Sequence, residues 1–284
     1  MKLARFTVDG RTCLGKVVGD HIIDISAAVP NAAHSMRLLL GELNTVRGAI
    51  ESVDAPSYAL AQVTLEAPIA DPLKYLAIGM NYQDHADEAA DAGKPVPTSQ
   101  LWFNKQVSCI NGPFSDVDVP RSAPDMVDYE AEMGVVIGKR CRHVSREDAR
   151  SVIAGYCVVN DVTARDWQFR SPTFTLGKSF DTHGPIGPWI TTDDEIADPH
   201  DLTLTLELNG EKRQQSSTGK MIYDIYEQIA YLTEVMTLEP GDLIATGTPA
   251  GVGIAGNRFM KEGDVVRVAI EGLGAIENRF VNEA

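Results

Sequence analysis

The chain has 284 residues, 44% hydrophobic and 23% charged, with a formal net charge of −15. This is the composition of a globular protein with a substantial core, and it excludes wholesale disorder. The acidic balance argues against nucleic acid and anionic membranes as partners.

The four cysteines (Cys13, Cys109, Cys141, Cys157) are scattered, with no CxxC pair, and read as free thiols in a reducing cytosol. Residues 1–6 lack the apolar run of a signal peptide, and no segment is long and apolar enough to span a bilayer. The expectation is a soluble cytoplasmic protein.

In chain order, residues 1–70 read as a small N-terminal α/β domain. Short strands turn at Asp9-Gly10 and Gly19-Asp20, and a helix runs through Met36 to Leu40. A linker containing Pro68 and Pro72 marks the boundary with a larger domain over 71–284. A strand follows at 74–79, then a short polar helix or mobile loop from Asn81 to Ala90 that ends near Gly93. Glu130 and Glu132 open a strand that continues to Gly138. Ser145, with Glu147 and Asp148 behind it, predicts a helix starting there and running toward Tyr156. Residues 155–159 read as a buried strand leading into Asn160-Asp161. Strict alternation over 202–208 before Asn209-Gly210 predicts a hairpin. Ile222, Ile225, Tyr226, Ile229 and Leu232 fall at helical spacing, and strands at 242–246 and 265–270 close the chain. The fold class is a β-rich α+β protein with a mixed β-roll or sandwich as its core.

Side chains two apart on a strand share a face, so Glu130 and Glu132 repel each other unless a cation lies between them. Asp161 could supply a third oxygen. Three carboxylates without nearby His or Cys suit a hard cation, Mg²⁺ or Mn²⁺. The plainer alternative is a solvated glutamate pair on an edge strand. His85 and Glu88 lie three apart, and a carboxylate beside an imidazole fixes its tautomer and raises its basicity, as a water-activating base requires. Arg165 could clamp a substrate carboxylate, or pair with Asp166 or Asp161 as scaffold, and Gln168 could reach a keto or hydroxyl oxygen. Lys178 could steady developing negative charge, or be an ordinary solvated lysine. Thr182 could hold a metal-bound water or cap a turn. Gly247-Thr248-Pro249-Ala250-Gly251-Val252-Gly253 lacks the ending of a P-loop; it reads as a turn whose backbone N–H groups and Thr248 approach a small anion. Gly79-Met80-Asn81-Tyr82 could do the same across the pocket.

Together these motifs, Gly79 to Glu88, Asp128-Tyr129-Glu130-Ala131-Glu132, Asn160 to Asp166, Gly177 to Asp181 and Thr246 to Gly253, resemble the fumarylacetoacetate hydrolase family, in its bacterial branch, from about Tyr75 onward. The resemblance implies a β-roll catalytic domain paired into a homodimer, with Glu130, Glu132 and Asp161 as ligands of Mg²⁺ or Mn²⁺. It implies a water-activating His85–Glu88 dyad on a lid, Lys178 at the oxyanion or enolate, and Thr182 near the metal. Arg165, Gln168, Tyr82 and Thr248 would contact the substrate.

Three readings follow. The first is a metal-dependent hydrolase that cleaves a C–C bond of 2,4-diketo (acylpyruvate-like) acids and releases pyruvate. Within it, the resemblance leans toward 2,4-diketo-3-deoxy-L-rhamnonate, giving pyruvate and L-lactate. The second is an oxaloacetate decarboxylase or keto–enol isomerase using the same site. The third is a Schiff-base lyase using Lys178, or a β-rich binding module.

Overall fold

The computed structural model describes residues 1–91, 93 and 95–284. The architecture is the expected β-rich α+β one. Among the described residues, the long sheet runs in the order Ser57–Ala59, His21–Asp24, Arg11–Val18, Lys2–Val8, Gly184–Thr192, Ile153–Asn160, Ala131–Ile137, Leu243–Ala245, Tyr75–Gly79, Leu101–Lys105. A second sheet orders Glu211–Ser217, Thr203–Leu208, Val265–Ile270, Gly274–Asn282 and Val117–Val119.

The two sheets pack face to face. Met133, Val135, Tyr156 and Val158 of the long sheet share one core with Leu204, Leu206, Val266, Val268 and Phe280 of the second. The opposite face of the long sheet, carrying Val136, Cys157, Val159 and Leu243, packs with Leu39, Leu40 and Leu43 of the helix Met36–Glu51. Central strands are therefore covered on both faces. This explains why Ala131–Ile137 and Ile153–Asn160 are buried at every position and read as continuous rather than alternating apolar runs. Residues 1–70 supply outer strands of the same sheet, joined where Lys2 and Leu3 pair with Thr191 and Ile190.

Two helix expectations need correction. No α-helix starts at Ser145. Its hydroxyl and the Asp148 carboxylate close a tight turn, Ala149–Val152 forms a single 3-10 turn, and the chain enters the strand Ile153–Asn160. Pairing of that strand on both sides outweighs the helix-start signal. The amphipathic helix is Ile225–Val235, shorter than the stripe from Ile222 implied. Asp224 and Glu227 form a reciprocal capping box that fixes its start after Ile222. The predicted hairpin is present as Thr203–Leu208 and Glu211–Ser217, with a bulge after Leu206.

Candidate active site

Antiparallel pairing assembles the acidic cluster. Ala131 opposes Asn160, so the start of one central strand meets the end of its neighbour, and the Asp161 N–H donates to the Glu130 carbonyl at 2.9 Å. Glu130 and Glu132 project to one face by the two-residue strand period, and Asp161 joins them. One carboxylate oxygen from each of the three lies within 4.8 Å of the others, and all three side chains are buried.

Buried cations surround this cluster. Lys178 Nζ donates to Glu130 Oε2 at 2.8 Å and Asp161 Oδ2 at 2.7 Å. Lys105 Nζ donates to Asp161 Oδ1 at 2.6 Å. Arg165 Nε donates to Asp128 Oδ2 at 2.8 Å, while its Nη1 lies 2.7 Å from Glu130 Oε1 and donates to Gln168 Oε1 at 3.0 Å. Burial works against ionisation of Glu130, but Lys178 and then Arg165 outweigh it and bring this carboxyl down to about 2. Burial likewise works against the Lys178 ammonium, and Asp161 and Glu130 hold it in the charged form.

Glu132 differs. Its Oε2 accepts the Gly247 N–H at 2.7 Å, and among the described residues no cationic side chain pairs with it. Burial first, then the Asp161 and Glu130 carboxylates, push its carboxyl well above the usual range. Counted formally, Asp128, Glu130, Glu132 and Asp161 face Lys105, Arg165 and Lys178, which leaves one buried negative charge in excess. A divalent cation among the three oxygens would turn that excess into a single positive charge, suited to a carboxylate substrate on an otherwise acidic protein. Three hard oxygen donors, one without a cationic partner, fit Mg²⁺ or Mn²⁺.

Glu130 and Glu132 of this cluster line a cavity of about 640 Å³, while Asp161 is fully buried and outside the lining. His85, Glu88, Glu130, Glu132, Arg165, Gln168, Lys178 and Thr248 all line it. His85 and Glu88 lie on the helix Gln83–Asp91, with His85 Nδ1 at 3.2 Å from Glu88 Oε2. Burial would raise the Glu88 carboxyl, but hydrogen bonds from His85 and the Gly251 N–H hold it below the usual range. An ionised Glu88 accepts a hydrogen bond from Nδ1–H and so leaves Nε2 as the basic nitrogen.

Several sequence expectations change here. Arg165 pairs with Asp128 and Glu130, not with Asp166 or Asp161. Lys178 is 1% exposed rather than solvated. The glycine-rich turn does hold anions, but they belong to the protein. Gly247, Ala250, Gly251 and Gly253 donate to Glu132, Asp84, Glu88 and Asp128 respectively. Thr182 is not among the cavity-lining residues; its Oγ1 accepts the Asp118 N–H at 2.8 Å, which occupies it away from the carboxylates. Tyr82 is also outside the lining. It is fully buried, its hydroxyl has no hydrogen-bond partner among the described residues, and burial followed by Glu132 and Asp84 raises its pKa.

Lys105, Asp128 and Gln214 did not stand out in the sequence as site residues. Lys105 ends the strand Leu101–Lys105 on the face of buried Phe103, so a lysine in phase with a core aromatic was the available signal. Gln214, fully buried, accepts the Ala131 N–H and donates to Thr248 Oγ1 at 2.9 Å, which fixes Thr248 beside the glutamate strand. Gly177 sets the position of Lys178. A Cβ there would lie 2.2 Å from the Gln168 backbone nitrogen and 2.7 Å from the Ala164 carbonyl. Gly177→Ala is expected to destabilise the protein by about 2 kcal/mol, read by urea unfolding, because backbone on both sides must move.

Residues 74–281 match the family model for the C-terminal domain of fumarylacetoacetate (FAA) hydrolase. A Burkholderia cenocepacia protein named only as a hydrolase is 41% identical over 281 residues, 96% of each chain. The solved maleylpyruvate hydrolase of Sphingobium sp. SYK-6, in complex with manganese(II) ion and pyruvate, superposes with a TM-score of 0.85 at 36% identity over 100% of both chains. The solved 5-carboxymethyl-2-hydroxymuconate delta-isomerase of Mycobacterium smegmatis superposes with a TM-score of 0.80 at 33% identity, again over 100% of both chains.

Proposed function

This chain is an enzyme of the fumarylacetoacetate hydrolase family, and from that premise we propose that it hydrolyses a C–C bond of 2,4-diketo (acylpyruvate-like) acids and releases pyruvate. The observation that carries the reading is the buried triad Glu130, Glu132 and Asp161, whose two glutamates line a cavity that the His85–Glu88 pair also lines. The manganese(II) and pyruvate bound together by the Sphingobium relative support it.

Glu130, Glu132 and Asp161 would hold Mg²⁺ or Mn²⁺. When bound, the ion supplies Lewis-acid polarisation of the keto acid and takes up charge on the departing enolate. The protein's own groups do the rest. Arg165 and Gln168 receive the carboxylate end of the substrate, with Arg165 fixed in place by Asp128. His85, oriented by Glu88, takes a proton from water at Nε2 so that its oxygen adds to the distal carbonyl. Lys178 uses two of its three N–H donors on carboxylates, and the third can meet the oxygen on which negative charge builds. The helix Gln83–Asp91 is latched to the turn after Thr248 through Asp84 and Glu88, which holds the base over the cavity and limits access of bulk water.

The superposition on an isomerase keeps a second reading in play, in which the same site moves protons without adding water to carbon. Turnover of an acylpyruvate in ¹⁸O-labelled water separates the two. Hydrolysis should place one labelled oxygen in the released carboxylic acid. Consumption of substrate that yields an isomer or CO₂, and no acid, would contradict hydrolysis.

A further inference from the structure

We infer that the acyl group of the substrate is apolar and uncharged, an alkyl or aryl chain rather than one ending in a second carboxylate or bearing hydroxyls. This rests on the reading above, that the keto-acid end sits at the buried carboxylates. The strand Leu101–Lys105 sets up a polarity gradient along one face. Lys105 reaches Asp161, Phe103 comes next with Lys178 Nζ 4.9 Å from its ring centroid, and Leu101 follows. At about 3.3 Å per residue, Leu101 lies roughly 13 Å along the strand from Lys105.

Phe174 packs edge-on against Phe103 at 5.9 Å between centroids and extends this wall. Val252 and Ile254 line the cavity from the glycine-rich segment, and Pro97 from the chain after the lid helix. Among the described lining residues, the permanent cations are Arg165 and Lys178, and both are ion-paired to carboxylates at the inner end. Among the described lining residues a second carboxylate on the tail would therefore lose its hydration without gaining a cationic partner, and a polyhydroxylated tail such as that of a deoxy sugar acid would lose several hydrogen bonds. An alkyl or aryl group gains from leaving water against Phe103, Phe174 and Leu101. The cavity of about 640 Å³ is in the range that encloses a ligand much larger than pyruvate.

The test separates binding from turnover. With Mn²⁺ present, calorimetry compares 2-oxooctanoate with its dicarboxylate counterpart 2-oxooctanedioate, neither of which carries the 4-keto group that cleavage needs. The monocarboxylate should bind at least roughly 100-fold tighter, and affinity across shorter 2-oxo acids should rise by up to about fourfold per methylene. Equal or tighter binding of the dicarboxylate overturns the inference. Leu101→Arg should narrow the gap at least roughly tenfold by giving the outer carboxylate a partner, and an unchanged gap would show that the tail does not run along this wall. An apolar preference in binding without turnover of any acylpyruvate would sink the proposed function and leave this inference standing. Turnover of maleylpyruvate or a polyhydroxylated diketo acid faster than of apolar acylpyruvates would do the reverse.

Discussion

Glu132→Gln is expected to weaken Mn²⁺ binding by more than the roughly 10–100-fold that follows loss of an outer-shell partner, and to remove turnover at micromolar metal. The same substitution should stabilise the metal-free protein, which a general structural defect would not do. Glu132 is buried beside two carboxylates and has no cationic partner among the described residues. Its folded-state carboxyl titrates well above 4.5, the ordinary value. Below that value the group is neutral whether folded or unfolded, so wild type and variant should melt alike. As pH rises through the raised folded value, the unfolded chain has already lost the proton that the folded chain still binds, so wild type loses stability and the neutral amide does not. Thermal melts from pH 4 to pH 8 with a chelator read the divergence. A variant that melts lower than wild type at pH 8 would show that Glu132 is held by an attraction the structure does not reveal.

The second large effect concerns the base. His85→Ala should lower kcat by roughly 10²–10⁴, the usual contribution of a positioned general base, and leave Mn²⁺ affinity within about twofold. Among the described residues, His85 bonds to Glu88 and makes no hydrogen bond or ion pair with the three carboxylates. Glu88→Gln should produce a smaller loss, because the amide can still contact the imidazole but cannot stabilise it when protonated. Stopped-flow turnover beside metal titration measures both quantities. Unchanged kcat in His85→Ala would assign proton abstraction to another group.

The pairing of strand-borne glutamates with a carboxylate at the next strand end was legible in the sequence because it follows from local rules. A two-residue period fixes the shared face of Glu130 and Glu132, and the apolar run 155–159 delivers Asp161 to a strand end. The His85–Glu88 pair was legible for the same reason, as neighbours on one helical turn. What stayed hidden depends on contacts between distant segments. Lys105 reaches Asp161 across 56 residues and Arg165 reaches Asp128 across 37, and nothing local in either cation announces its partner. The glycine-rich turn was read as holding a small anion, whereas its N–H groups meet the protein's own carboxylates, since Asp84 and Glu88 arrive from one distant segment and Asp128 and Glu132 from another. Ser145 shows the limit of capping signals. They describe a helix start well, yet a strand hydrogen-bonded on both sides decides the conformation of the residues that follow.

Anomalous diffraction from a crystal soaked in Mn²⁺ tests the central claim most directly. The account predicts one strong peak bounded by carboxylate oxygens of Glu130, Glu132 and Asp161, lost in Glu132→Gln crystals soaked in the same way. A peak elsewhere, or none with the Lys178 bridge between Glu130 and Asp161 intact, would contradict it.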